Sequence, residues 1–207
     1  TSIQFIEFNC EKPPFDDPQF RTALGYAVDR ESIVQASRGG YSTVLYNPLA
    51  PGLIGYDASI GEAYGTPYDP DRARQMLDAL GWVDSDGDGI REKDGEPASF
   101  EMWSYTGYTY VPRTLEVLQQ NFLDVGVEIT IELSDWGAFY PRLKRDSLDM
   151  DLMRWTWGDV DVLTVLFRSP GHRGHLLEDP ELDAVLDSLD TTMDYDQRIE
   201  IVKEAQK

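Results

Sequence analysis

Residues 99 to 133 constrain the fold of this chain most: a strand SFEMWSY, then VPRTLEVLQQNFLDVG, then VEITIEL. Val127, Ile129, Ile131 and Leu133 alternate with polar residues, the period of two that turns one face of a strand toward a core. Between the runs, Pro112 opens a helix, where its fixed φ suits the first turn and its missing N–H is not needed, and Gly126 closes it. Strand, helix and strand in this order predict a parallel pair joined by a right-handed crossover, and therefore an α/β fold.

The rest of the chain is punctuated by aspartates that precede apolar periodic stretches. Asp17-Pro18 reads as a cap and first helical residue, with Phe20, Leu24, Ala27 and Val28 on one face, and Asp29 caps a second helix that ends at Gly39-Gly40. Residues 41 to 67 carry Pro48, Pro51, Gly52, Gly55, Gly61, Gly65 and Pro67 and are expected to form one long ordered loop. Asp69-Pro70 starts a helix to about residue 80, with Ala73, Met76, Leu77 and Leu80 as its buried stripe and Gly81 as its stop. Ser134-Asp135 caps a helix expected to reach about Arg145, DMDLMRWTW is a further strand, and EDPELDAVLDSLD and DYDQRIEIVKEAQK are two closing helices. A chain of 207 residues suffices for one domain with an attached subdomain. The opening strand IQFIEF has no turn before it and the last helix no Gly or Pro stop, so residues 1–207 are expected to be a single α/β lobe, an internal piece of a longer protein.

With 38 acidic and 18 basic residues the net charge is −20, which argues against nucleic acid or an anionic membrane as a partner. A single cysteine, Cys10, excludes an internal disulfide and a thiolate metal cluster, and is expected to be packed. No apolar run approaches the roughly 20 residues that cross a bilayer. G-x-S-x-G, Walker and G-x-G-x-x-G patterns are all lacking, so catalysis has no visible apparatus.

Three groups of residues carry chemistry. Asp84, Asp86, Asp88 and Gly89 spell D-x-D-x-D-G, the first half of a loop that wraps calcium with alternating carboxylates. The position of the expected bidentate glutamate holds Gly95, although Glu92, Asp94 and Glu96 stand near, and a polar hairpin turn explains the same residues. His172 and His175 lie three apart in SPGHRGHLL, where Pro170, Gly171 and Gly174 favour a loop over a metal-binding helix. Aromatic residues gather at two strand ends: Trp103, Tyr105, Tyr108 and Tyr110 at one, and Trp155 and Trp157, with Asp159 and Asp161, at the other. Aromatics beside carboxylates suit a cleft that stacks on a solute and fixes it with charge-assisted bonds, while core packing accounts for at least one tryptophan.

The run FN-x-E-x-PPFDDPQFR-x-AL-x-YA-x-DRE-x-I, residues 8 to 33, resembles the segment that opens the C-terminal lobe in family 5 extracellular solute-binding proteins. These are the oligopeptide- and dipeptide-binding receptors of ABC importers. NPLAPGLIGYD, YDPDRARQMLDALGW and the tail from HLLEDPELDAVL are similar to the same family, so the resemblance runs the length of the chain. It implies the C-terminal lobe of a type II periplasmic-binding-protein fold, with a mixed or parallel sheet flanked by helices. It also implies a peptide or other small solute held between two lobes, an ABC permease as partner, and a periplasmic or extracellular place, with a lipid anchor on an N-terminus outside this sequence. In a W-x-x-D-Y-x-D-P pattern the family supplies a carboxylate to the α-ammonium of a bound peptide, and Asp159 is the matching position. Here Trp157 stands two and Trp155 four residues before it, and Val160 and Val162 replace the usual neighbours. Two alternatives stay open beside the peptide reading: an oligosaccharide receptor of the same family, and a glycoside hydrolase using paired carboxylates among tryptophans. A calcium-using structural module would rest on the acidic loop alone.

Overall fold

The computed structural model describes residues 2–143, 148–169 and 178–207. His172 and His175 lie outside them. The described residues group into two compact units, one formed by 6–44 and 66–152, the other by 1–5, 45–65 and 153–207.

A four-stranded sheet in the order β1-β6-β4-β5 contains β1 (Ser2–Phe8), β4 (Ser99–Tyr105), β5 (Glu128–Ser134) and β6 (Met150–Thr156). β4 runs parallel to β5 from Ser99↔Glu128 to Tyr105↔Ser134, and parallel to β6 at Met102↔Met150. The β-α-β unit expected from sequence is therefore present, with α5 (Val111–Leu123) as its crossover. Val127 and Ile129 are buried, whereas Leu133, at the far end of the same alternation, is exposed where the core beneath it ends.

The first unit is built on α1 (Pro18–Ala27), α2 (Arg30–Arg38), α4 (Pro70–Ala79) and α5, with α1 packed on α4 and α2 on α5. The Asp17, Asp29 and Asp69 carboxylates accept backbone N–H groups of Gln19, Ser32 and Arg72, which satisfies donors that a helix start would otherwise leave bare. Phe20, Leu24, Ala27 and Val28 enter one core with Ala73, Leu77, Leu115, Leu118 and Phe122. Phe15 meets Phe20 and Phe100 edge-on at 5.7 and 4.8 Å, an arrangement favoured by the ring quadrupoles. Cys10 is packed as expected: its Sγ lies 3.6 Å from the Phe8 carbonyl, and burial pushes the thiol pKa up.

The second unit contains α3 (Ala58–Tyr64), α7 (Val162–Phe167), α8 (Pro180–Thr191) and α9 (Tyr195–Glu204). Leu49, Val160, Leu163, Leu166, Leu186, Leu189 and Val202 form its core. Residues 45–57 are tied to α9: Gln206 Nε2 donates to the Gly55 carbonyl at 2.9 Å and its Oε1 accepts from Asn47 at 3.3 Å. A Cβ on Gly55, whose φ is +71°, would stand 2.5 Å from Val202 Cγ1, so only glycine lets this loop lie so close.

Two expectations are corrected, and one element was not expected at all. The proline- and glycine-bearing stretch is not loop throughout, because Asp57 caps α3 inside it, accepting from Ser59 N–H at 3.0 Å. The helix after Asp135 is only α6 (Trp136–Phe139), followed by a 3-10 turn over Tyr140–Arg142, since Pro141 offers no N–H to continue an α-helix. Residues 162–167, for which no element was expected, form α7; six residues with Thr164 as the one polar position are too few to show a helical period.

Candidate functional site

The expected contact residues fall into two groups, one in each unit. In the first unit Tyr105 ends β4 opposite Ser134 of β5, at the carboxyl ends of two parallel strands, where open α/β sheets place their ligands. Tyr108 follows in the turn, its ring edge-on to Tyr105 at 5.9 Å and stacked on Tyr110 at 5.4 Å. Tyr105 also meets Trp136 at 4.9 Å and Phe139 at 5.5 Å, and Trp136 meets Tyr140 at 5.3 Å. Trp136 and Tyr140 were not among the residues singled out from sequence, yet they are 44% and 54% exposed and extend the row of rings to the surface. Their signal was present in Asp135, whose carboxylate accepts from Ala138 N–H and starts the short helix that carries Trp136. Trp103, by contrast, is buried: its Nε1 donates to Glu101 at 2.9 Å, and the Arg142 guanidinium lies 4.4 Å above its ring.

In the second unit Trp155 and Trp157 are neighbours, with ring centroids 5.5 Å apart. Both are half-buried against the core of Val160, Leu163 and Leu166 rather than standing free, so packing is part of their role. Asp159 is exposed in the turn before α7, and its Oδ1 accepts the Asp161 N–H at 3.2 Å. The Asp161 carboxyl is pushed above its ordinary value, first by desolvation and then by the charge of Asp159 and a hydrogen bond to it, with Asp190 adding to the shift and Arg198 opposing it.

The acidic loop is a third, separate place. Asp84, Asp86, Asp88 and Glu92 each offer one oxygen within 4.8 Å of the others, a hard-oxygen set of the kind calcium takes. The same carboxylates already close the turn. Asp84 accepts from Gly87 and Gly89 N–H, Asp86 from Asp88, Asp88 from Ile90, and Glu92 from Ser85. These bonds account for the loop without an ion. Gly95, at the position of the missing glutamate, has φ +86° and with Asp94 turns the hairpin of β2 (Glu92–Lys93) and β3 (Glu96–Pro97).

Each unit thus carries aromatic rings near a strand end of an α/β fold. The chain belongs to the bacterial extracellular solute-binding proteins, family 5, whose middle region matches residues 1–174. It is 32% identical over 156 residues to the oligopeptide-binding protein AppA of Bacillus subtilis, covering 75% of this chain and 28% of that protein. The dipeptide-binding protein of Escherichia coli is 26% identical over 216 residues, 99% of this chain and 38% of its own length. The solved structure of the Bacillus subtilis AppA protein in complex with a nonapeptide superposes with a TM-score of 0.89 at 27% identity, covering 99% of this chain and 42% of that one. The chain thus spans well under half the length of these relatives. Among its described residues no helix is long and apolar enough to cross a membrane.

Proposed function

We propose that this chain is part of an extracytoplasmic receptor of an ABC importer, a binding protein and not an enzyme, which captures an oligopeptide or similar small solute between two lobes and delivers it to a membrane permease. The observation that carries the reading is the match to the nonapeptide-bound relative over 99% of this chain, taken with its family membership. Asp159 is the group that would accept the solute's ammonium, because it is exposed and, among the described residues, forms no ion pair with a lysine or arginine. Trp155 and Trp157, in the same unit, would stand beside that ammonium. A lipid anchor would belong to a preceding segment. The oligosaccharide reading draws on one observation, the row of rings from half-buried Tyr105 to exposed Trp136 and Tyr140, since aromatic faces stack on sugar rings as readily as on peptide side chains.

Native mass spectrometry of the full-length receptor, purified from its host without denaturation, tests this directly. The expected spectrum shows retained masses that fragment as peptides with free N-termini. Retained hexose ladders would replace the peptide reading with the oligosaccharide one, and turnover of aryl glycosides by the same preparation would overturn the assignment as a binding protein.

A further inference from the structure

The sequence contains three Asp-Gly bonds, all between residues 86 and 95: Asp86-Gly87, Asp88-Gly89 and Asp94-Gly95. This dipeptide carries a reaction of its own. No side chain shields the glycine amide, and its nitrogen can attack the carboxyl carbon of the aspartate before it and close a five-membered ring. A Cβ at Gly87, Gly89 or Gly95 would meet nothing within 4 Å, so open space does not distinguish the three bonds. Hydrogen bonding does. Gly87 and Gly89 both donate their N–H to Asp84, at 2.7 Å to Oδ1 and 3.1 Å to Oδ2. The carboxylates beside them are held as well, Asp86 Oδ1 accepting from Asp88 N–H at 3.1 Å and Asp88 Oδ1 from Ile90 N–H at 2.7 Å. Both partners of the reaction are thus engaged at each of these two bonds. At Asp94-Gly95, among the described residues, neither the Asp94 carboxylate nor the Gly95 N–H is hydrogen-bonded.

Asp94 is exposed and has φ +55°, and Gly95 follows at +86°. Positive φ at both central positions is that of a type I′ turn, a conformation that an L-residue enters at a cost. The turn closes a hairpin with two residues in each strand, Lys93 opposite Glu96 and Glu92 opposite Pro97, and Pro97 has no N–H to give. Opening it therefore relieves the backbone at Asp94 and breaks little. We propose that Asp94-Gly95 is a site of spontaneous backbone rearrangement to isoaspartate, and that Asp84 protects Asp86-Gly87 and Asp88-Gly89 from the same reaction by holding both glycine amides. Gly95 N bonds to Asp94 Cγ, and the carboxyl OH leaves as water with the amide proton. Water then adds to the ring carbonyl that was the Asp94 backbone carbonyl, and its bond to nitrogen breaks. The chain now runs through Cβ and Cγ, nothing has been oxidised or reduced, and the mass is unchanged. One more backbone carbon in the turn is incompatible with the two-residue register of Lys93 and Glu96.

The test incubates the full-length receptor for weeks with EDTA at about pH 6, where part of each carboxyl is protonated and water can leave from it. Trypsin, cutting at Arg91, then separates Asp94 from Asp86 and Asp88, and electron-transfer fragmentation locates isoaspartate within each peptide. In wild type the isomer at Asp94 should exceed that at Asp86 or Asp88 roughly tenfold, the factor by which one hydrogen bond to a charged group lowers the population of free amide. Asp84→Ala, which frees both glycine amides, should raise the isomer at Asp86 and Asp88 by roughly the same factor and leave Asp94 as it was. The wild-type comparison stands without the variant. Equal accumulation at the three bonds in wild type, or none at Asp94, would overturn the proposal. So would levels at Asp86 and Asp88 that Asp84→Ala leaves unchanged.

Discussion

At the scale of single residues, Arg91 joins parts of the chain that are distant in sequence. It is 9% exposed; its Nε donates to the Val125 carbonyl at 2.7 Å and its Nη1 to the Trp82 carbonyl at 2.6 Å and to Asp78 at 2.5 Å. Replacing it leaves two carbonyls without their donors, and Arg91→Ala should cost about 2 kcal/mol in urea unfolding. Lysine cannot present the same planar fork, so Arg91→Lys should recover only part of the loss. Gly126 is coupled to the same side chain. Its φ is +81°, and a Cβ there would meet Arg91 Cγ at 2.8 Å. Gly126→Ala should cost roughly 1–2 kcal/mol from the backbone alone, with more from the collision. In an Arg91→Ala background the collision is gone, and the cost of Gly126→Ala should shrink to the backbone part; additive losses would show that the two residues are independent. Gly126 was legible from sequence as a helix stop, whereas the role of Arg91 was not, because its partners lie in two segments apart from it, 78–82 and Val125.

At the scale of elements, what was legible depended on whether chemistry marked the start. Asp17, Asp29, Asp69 and Asp135 announce their helices, and each accepts a backbone N–H where expected. α7 was missed because its six residues, five of them apolar, are too few to show a period and its cap position makes no side-chain bond. α3 was missed because Gly61 sits in its middle and prolines flank it, although Asp57 was in the capping place. That cap gives a pH-dependent prediction. The Ser59 hydroxyl, then its N–H, hold the Asp57 carboxyl below its ordinary value, with Lys203, 3.9 Å away, adding to the effect against a smaller desolvation penalty. A depressed acid stabilises its helix above the unfolded value, about 4, and that contribution fades as pH falls through the folded value. The Ser59 amide should therefore lose hydrogen-exchange protection at acidic pH. In Asp57→Asn the protection should be independent of pH over that range; an identical pH profile in both proteins would remove Asp57 from the account.

At the scale of the whole molecule, the β-α-β run fixed the class of fold, and the resemblance carried by PPFDDPQFR and its neighbours led to the family that the chain belongs to. The candidate site was legible in part. Tyr105 lies at the end of a strand expected from sequence and Tyr108 in the turn after it, while Trp136 and Tyr140 escaped notice because their short helix and 3-10 turn have too few residues to show a period. Trp155 and Trp157 were visible as aromatics and packing was expected for at least one; the structure has both half-buried against the core that includes α7 residues.

The central claim is that Asp159 meets an ammonium group of the solute. Titration calorimetry of the full-length receptor, wild type and Asp159→Asn, against a free-amine peptide identified from the natively purified protein and against its Nα-acetylated form, tests it most directly. The account predicts a loss of about 2 to 5 kcal/mol for the free-amine peptide on substitution, part of it the penalty for leaving the ammonium unpaired, and no change for the acetylated one. Equal affinities of wild type and Asp159→Asn for the free-amine peptide would contradict it.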